Sequence, residues 1–399
     1  MEETTEDKVT ATAMPRVAPD LLAEAVKIVP VVAEAAPEAL ELRRAPDRSV
    51  EALVDGGLTV MSLPVERGGW RAPTAVQAEV MATLAEADGS FAWVTSIYNA
   101  VSHMVCAFGD HALDEFVGSE IPRCAGVFAV TGRAATVEGG YRVSGKWGFS
   151  SGQHHAGWII VPGIPDEGGA PIAFLVPKAE FEVKDDWFVT GFIGTGSNTV
   201  VLEDVFVPEH RAVPFMDIVT GNYRAESLAG DTYYNQPFVP FMCAMSVGPA
   251  IGLGRAALRA FEERVGSRGI TYTNYARQAD APITFHQLAE ARMKLDHAKF
   301  HADRITGAVD EHAASGAAWE IAERVRCRAD IAWAIKLTRE ACEIVEHGSG
   351  ANALRASDKL GSILRDIRTM SVHSFLLHST NAELYGRILA GNEPDVPFI

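Results

Sequence analysis

Residues 146–158 read Lys-Trp-Gly-Phe-Ser-Ser-Gly-Gln-His-His-Ala-Gly-Trp, and the reading of the chain turns on them. Upstream stands a hairpin signal, Val137-Glu-Gly-Gly-Tyr-Arg-Val143, and downstream an apolar run, Trp158-Ile-Ile-Val-Pro162. A segment rich in hydroxyl and imidazole groups is therefore pinned between two strands. Such a segment presents hydrogen-bonding groups to a flat heteroaromatic ligand more often than it merely turns the chain. The alternative is a solvated loop carrying two adjacent histidines.

Outward from this stretch the pattern changes twice. From Pro19 to about Arg123 it is helical, with Ala-rich segments at 20–35, 48–57, 72–88 and 91–117. From Cys124 to about Val213 it is that of strands: Gly126-Val-Phe-Ala-Val130, Tyr141-Arg-Val, Gly157-Trp-Ile-Ile-Val, Ile172-Ala-Phe-Leu-Val176, Phe181-Glu-Val and Thr199-Val-Val-Leu are rich in β-branched and aromatic residues. After Phe215 helices return, with Ile251, Leu258, Phe261 and Val265 on one face, and Leu288, Leu295, Ala298 and Ala302 on another. The expected units are a disordered polar tail (1–18), an N-terminal helical domain (19–123), a middle β domain (124–214) and a C-terminal helical bundle (215–399).

Composition narrows the partners. The chain has 399 residues, is 48% hydrophobic and carries a net charge of −17, which argues against nucleic acid or an anionic membrane surface. The acidic N-terminus lacks a basic-then-apolar leader. Gln236 to Gly254 is uncharged over nearly the length of a membrane span, but Pro237, Pro240 and Pro249 favour a buried core segment. Cys106, Cys124, Cys243, Cys327 and Cys342 form no CxxC pair and read as buried thiols of a cytoplasmic protein. His297 and His301 are spaced to share a helix face, but no third ligand stands at a recognised spacing, so no metal site is expected. Neither GxGxxG nor GxxxxGKS occurs, so nothing here cradles a nicotinamide dinucleotide.

The 146–158 stretch resembles the Trp-x-Phe-Ser-Ser-Gly-x-x-His-Ala-x-Trp signature of the flavin-dependent monooxygenases built on the acyl-CoA dehydrogenase fold, the oxygenase components of two-component hydroxylases. The passage Gly57, Pro64, Gly68 and Gly69 keeps a spacing found at the end of an early helix of that fold. Gly194-Thr-Gly-Ser-Asn198 is similar to a turn of the monooxygenases, although a plain β-turn explains it nearly as well. The resemblance implies a mainly α chain with a central β domain: an N-terminal helical domain, a middle β-barrel and a C-terminal four-helix bundle.

Within that fold one comparison separates dehydrogenase from oxygenase. Most acyl-CoA dehydrogenases carry a Glu base eight residues after the Asp of an Arg-Asp pair. Here the pair is Arg365-Asp366, the corresponding residue is Ser374, and no acidic residue occurs between Asp366 and Glu383. The monooxygenases instead place a His one residue earlier, where this chain has His373. By resemblance, His373 would stand by the flavin C4a-peroxide, and Ser150 or Ser151 would bond flavin N5 or the peroxide. A neutral imidazole or a hydroxyl can donate or accept near neutral pH. His103, in the helix after Asp88-Gly-Ser-Phe-Ala-Trp93, would meet the substrate, or else packs at a domain interface. The expected flavin contacts are Phe128, Val130, Thr131 and Arg133 in the first β-domain loop. Trp147, Phe149, Ser150, Ser151 and His155 in the signature join them, with Gly194, Thr195 and Ser197 in the turn. His155 has an alternative, structural role in orienting the loop. Gly348-Ser-Gly350 partly matches a passage near a neighbouring subunit's cofactor, with His347 in place of its first glycine.

The implied activity is hydroxylation of a phenolic or polycyclic aromatic substrate by reduced FMN or FAD and O₂. The flavin would diffuse from a separate NAD(P)H:flavin reductase, and the chain would form a homotetramer. Rival readings are an acyl-CoA dehydrogenase-like oxidoreductase, oxidation at sulfur or nitrogen on the same fold, and a non-catalytic flavin-binding protein.

Overall fold

The computed structural model describes residues 19–355, 357–396 and 399, so the expected tail at 1–18 lies outside the described residues. Five helices come first: α1 (Leu21–Leu42), α2 (Asp47–Asp55), α3 (Thr74–Ala85), α4 (Gly89–Met104) and α5 (Asp110–Val117). Helix α1 runs seven residues beyond the predicted end at 35, through Pro30 and Pro37. Both prolines lie on its exposed side, while Leu21, Ala25, Ile28, Val32, Ala35 and Ala39 form an unbroken buried stripe. Packing of that stripe outweighs the backbone bonds the prolines remove. The segment 91–117, read as continuous, is broken: a 3₁₀ turn (Val105–Phe108) and Gly109, with φ of 92°, separate α4 from α5.

The β domain is one mixed sheet of β1 (Cys124–Gly126), β2 (Gly132–Val137), β3 (Gly140–Trp147), β4 (Trp158–Pro165), β5 (Ile172–Pro177), β6 (Glu182–Val183), β7 (Val200–Pro208) and β8 (Ala212–Pro214). Its strand order is β6-β7-β3-β2-β4-β5-β8, with β1 also on β4. Among the described residues the hydrogen-bonded path has β6 and β8 as its ends, and the middle domain is this mixed sheet between the two helical parts, as the expected architecture has it. Strands β1 and β2 both run parallel to β4, Cys124–Gly126 against its first half and Gly132–Ala134 against its last residues. They are one strand interrupted at 127–131, where a continuous strand over 126–130 was predicted. Val127 still donates to the Ile160 carbonyl (3.1 Å), and then the chain leaves the sheet.

Helices α6 (Phe215–Thr220), α7 (Phe238–Val265), α8 (Pro282–Ser315), α9 (Ile321–Ser349), α10 (Lys359–Ser371) and α11 (His378–Leu389) follow. Helices α7 to α10 pack on one another as a bundle, with α11 on α9. Helix α7 is long and apolar enough to cross a membrane, yet its apolar stretch is buried inside the protein. Its contact with α3 explains part of its composition. A Cβ at Gly248 would come within 2.3 Å of the Ala78 carbonyl oxygen, and one at Gly252 within 2.1 Å of that of Ala82. Only a seam of small residues allows backbones to approach so closely.

Candidate active site

The signature loop and the turn at 194–198 are zipped together. The Ser150 amide donates to the Asn198 carbonyl (3.2 Å), the Gly152 amide to the Thr195 carbonyl (3.1 Å), and Gln153 Nε2 to the Gly196 carbonyl (2.7 Å). Gly152, with φ of 78°, also lies close to α4: a Cβ there would stand 2.9 Å from the Tyr98 ring, whose hydroxyl donates to the Gly152 carbonyl (2.7 Å). Phe149 and Phe192 both adopt left-handed backbone (φ 62° and 52°), a conformation unfavourable for bulky residues and concentrated at functional sites.

A hydroxyl chain runs through this junction. Trp93 Nε1, from α4, donates to Ser151 Oγ (3.1 Å); Ser151 Oγ lies 2.7 Å from Ser197 Oγ, and Ser197 Oγ lies 2.7 Å from Thr195 Oγ1. Thr195 Oγ1 donates to the Phe192 carbonyl (2.7 Å), and the Phe192 amide donates to the buried carboxyl of Asp366 (2.7 Å). Ser150 is fully buried, and its hydroxyl has no partner among the described residues.

His373 stands just past the end of α10, its ring 5.6 Å from that of Trp93. It is exposed in the single chain, yet enough protein surrounds it that burial pushes its pKa down to about 4. The two observations agree for a ring on the wall of a concave cleft, reached by solvent but poorly solvated. The Phe375 amide donates to Nδ1 (3.3 Å), so the neutral ring carries its proton on Nε2. An aromatic wall continues from there: Phe375 lies 5.9 Å from Phe238, and Phe238 lies 4.7 Å from Phe128. A succession of contacts thus runs Ser151, Trp93, His373, Phe375, Phe238, Phe128.

Phe128 belongs to the interruption between β1 and β2. Leaving the sheet frees the Ala129 and Val130 amides, which pair with no acceptor among the described residues. It also leaves carbonyls on β4, and the Pro162 carbonyl is taken up by the indole of Trp147 (3.0 Å). Trp147 is completely buried, with Gly132 and Gly145 making room: a Cβ on either would come within 2.6 Å of the indole. The expected flavin contact at Trp147 is therefore corrected. Its ring fills the domain core and supports the loop from behind, because strand parity points it inward with Val143.

Other expected contacts also face elsewhere. Arg133 points outward to Asp166 (2.9 Å), and Thr131 Oγ1 fastens the loop end to the Lys146 carbonyl (2.8 Å). His155 Nε2 is committed to Asp47 (2.8 Å) beside Arg44, and Phe149 is largely exposed, edge-on to Trp187. Gly194 sits where a Cβ would be 3.1 Å from the Ser90 Cβ, so it lets the turn approach α4. His103 is not brought to the cleft wall. Ten residues along α4 from Trp93, a rise of ~15 Å, it is fully buried against Phe241 (3.9 Å), Tyr234, Tyr233 and Tyr223. Neither ring nitrogen makes a well-formed side-chain hydrogen bond among the described residues, and burial pushes its pKa down to about 3 despite the nearby Ser62 backbone. His301 is held by Asp330 (2.9 Å), and no metal-holding group occurs among the described residues. The Gly348 carbonyl accepts from Gln278 (2.7 Å), tying that passage to its own chain. Trp93, Phe238 and Phe375 were not singled out as site residues by the sequence.

The groups present fit an isoalloxazine. Its pyrimidine edge offers acceptors suited to the free Ala129 and Val130 amides. The Ser150 hydroxyl awaits a partner, and aromatic rings flank the space. Residues 244–377 match the model described as Acyl-CoA dehydrogenase, C-terminal domain. The chain is 31% identical over 385 residues (94% of this chain, 95% of the relative) to the flavin-dependent monooxygenase, oxygenase subunit HsaA, of Mycobacterium tuberculosis. It is 27% identical over 388 residues (94% and 90%) to the p-hydroxyphenylacetate 3-hydroxylase, oxygenase component, of Acinetobacter baumannii. Its fold is similar to that of XiaF from Streptomyces sp. in complex with FADH2 and glycerol, with a TM-score of 0.89, 29% identity and coverage of 95% of this chain and 97% of that one.

Proposed function

This chain belongs to the flavin-dependent monooxygenases built on the acyl-CoA dehydrogenase fold, as an oxygenase component, and on that premise we propose that it hydroxylates a phenolic or polycyclic aromatic substrate. The observation that carries this is the succession of contacts that sets a neutral histidine bearing Nε2–H between an indole–serine pair and a row of phenylalanines. Bound reduced flavin supplies the electrons with which O₂ is activated and one oxygen atom inserted. The Ala129 and Val130 amides and the hydroxyls of Ser150 and Ser151 would hold the ring. His373, kept neutral at physiological pH by its depressed pKa, would offer its Nε2–H to that chemistry as a hydrogen-bond or proton donor. Phe128, Phe238 and Phe375 exclude water and offer flat apolar faces to an aromatic substrate. Ser374 stands where a dehydrogenase has its carboxylate, which supports oxygenase over dehydrogenase chemistry.

An oxygenase component of a two-component system receives its flavin from a separate reductase. A homotetramer is supported by the apolar stripe Phe285, Met293 and Phe300, exposed along α8. Five buried free thiols fit a reducing, cytoplasmic setting. The test combines the purified chain with any flavin reductase, NADH, FMN or FAD and a panel of phenols, read by mass spectrometry for products one oxygen heavier. NAD(P)H-driven turnover by the chain alone with oxidised flavin, or no oxygenated product from any aromatic, defeats the reading.

A further inference from the structure

We propose that Thr195 and Ser197 are positioning residues that lock the Ser151 hydroxyl as a hydrogen-bond acceptor, so that the site reads the redox state of flavin at N5. The inference rests on the reading above that this cleft holds flavin, and it adds a reason for the reduced form to be preferred.

The argument follows the hydrogens. The Phe192 carbonyl has none to give, so at 2.7 Å the Thr195 hydroxyl must donate to it. Having spent its hydrogen, Thr195 Oγ1 can only accept from Ser197 (2.7 Å). Ser197 Oγ in turn accepts from Ser151 (2.7 Å). Reversing any link would put two oxygens 2.7 Å apart with no hydrogen between them. Ser151 also accepts from Trp93 Nε1 (3.1 Å). Its hydrogen is committed, and what it has left is one lone pair. Of the two serines, Ser151 keeps a little exposed surface and Ser150 has none, so the inference is drawn at Ser151.

Reduced flavin carries a hydrogen on N5 and can satisfy that lone pair. Oxidised flavin carries a lone pair on N5 and would meet another. A site of this polarity takes up flavin in the reduced form and releases it once oxidised, which suits a cofactor that must return to a reductase.

The test is binding, not turnover. Dissociation constants of the full-length protein are measured by equilibrium dialysis for oxidised FMN and FAD, and anaerobically for the same flavins reduced with dithionite. Thr195→Val removes the first link while leaving the Phe192 carbonyl its bonds from the Thr195 amide (3.1 Å) and Trp187 Nε1 (3.2 Å). Ser197→Ala removes the second link. Either change frees Ser151 to turn its hydrogen toward N5. The ratio of oxidised to reduced Kd is expected to fall about tenfold, the worth of one buried hydrogen bond. Thr195→Ser is expected to restore it. If both variants bind flavin with the wild-type ratio, or wild type binds both forms equally well, the inference is overturned while flavin binding stands. If wild type binds neither form, the proposed function falls with it.

Discussion

Replacing Asp366 by Asn is expected to flatten the pH dependence of stability. Asp366 is buried on α10, where burial, and then the neighbouring carboxyl of Asp88, push its pKa from 3.8 up to about 7; the Phe192 amide and Arg365 pull the other way. Asp88 caps α4, accepting from the Phe91 amide (2.9 Å), and burial raises its pKa too. A folded chain that binds this proton more tightly than the unfolded chain is favoured at low pH. The contribution of Asp366 is whole below its unfolded pKa of 3.8, falls as pH rises, and is gone above about 7. At 1.36 kcal/mol per pH unit, the loss between about pH 5 and pH 8 is about 2–3 kcal/mol, less whatever Asp88 absorbs by sharing the proton. Asn keeps an oxygen for the Phe192 amide, bears no charge and can donate to Asp88. Thermal melts of both proteins from pH 5 to 8 should therefore show the difference in Tm moving a few degrees in favour of Asn as pH rises. An offset constant across that range refutes the reasoning, because a merely structural effect of the substitution has no slope.

Two further outcomes are expected. His373→Ala should retain the fold and reduced-flavin binding, yet lower the product formed per flavin oxidised by about tenfold or more, with H₂O₂ released instead; coupling at the wild-type level removes His373 from the chemistry. Trp147→Phe should lower stability by about 1–3 kcal/mol by orphaning the Pro162 carbonyl, and should weaken binding of both flavin redox states together because the 127–131 loop loses its support. Unchanged affinity would mean that the loop does not hold the ring.

The order helices, sheet, bundle was legible because the apolar period switches from helical to alternating near Cys124 and back near Phe215. Element interruptions were less so. The gap between β1 and β2 falls largely within Gly126-Val-Phe-Ala-Val130, where Val127, Phe128 and Val130 favour strand. What breaks it is tertiary: the Trp147 indole takes the Pro162 carbonyl that a continuous strand could have used. Trp147 itself was misread for a related reason. The signature is a local string, whereas its direction depends on strand parity: Trp147 lies in phase with the buried Val143 on β3. His103 and Trp93 share α4, and nothing local says which meets the cleft and which is walled in by tyrosines.

The hydroxyl chain shows where a sequence ceases to inform. Ser151, Thr195 and Ser197 were each legible as candidate contacts, because hydroxyls near a glycine turn suit a ligand. Their types leave every direction open, since each can donate or accept. Direction is imposed from the end, where a carbonyl at Phe192 can only accept. It is then transmitted oxygen by oxygen to Ser151, whose own donor, Trp93, lies 58 residues earlier in the chain. Redox selectivity on this account belongs to no single residue. It follows from the closure of a network whose terminal group is backbone, which any residue at position 192 would supply, provided that it held the same left-handed turn.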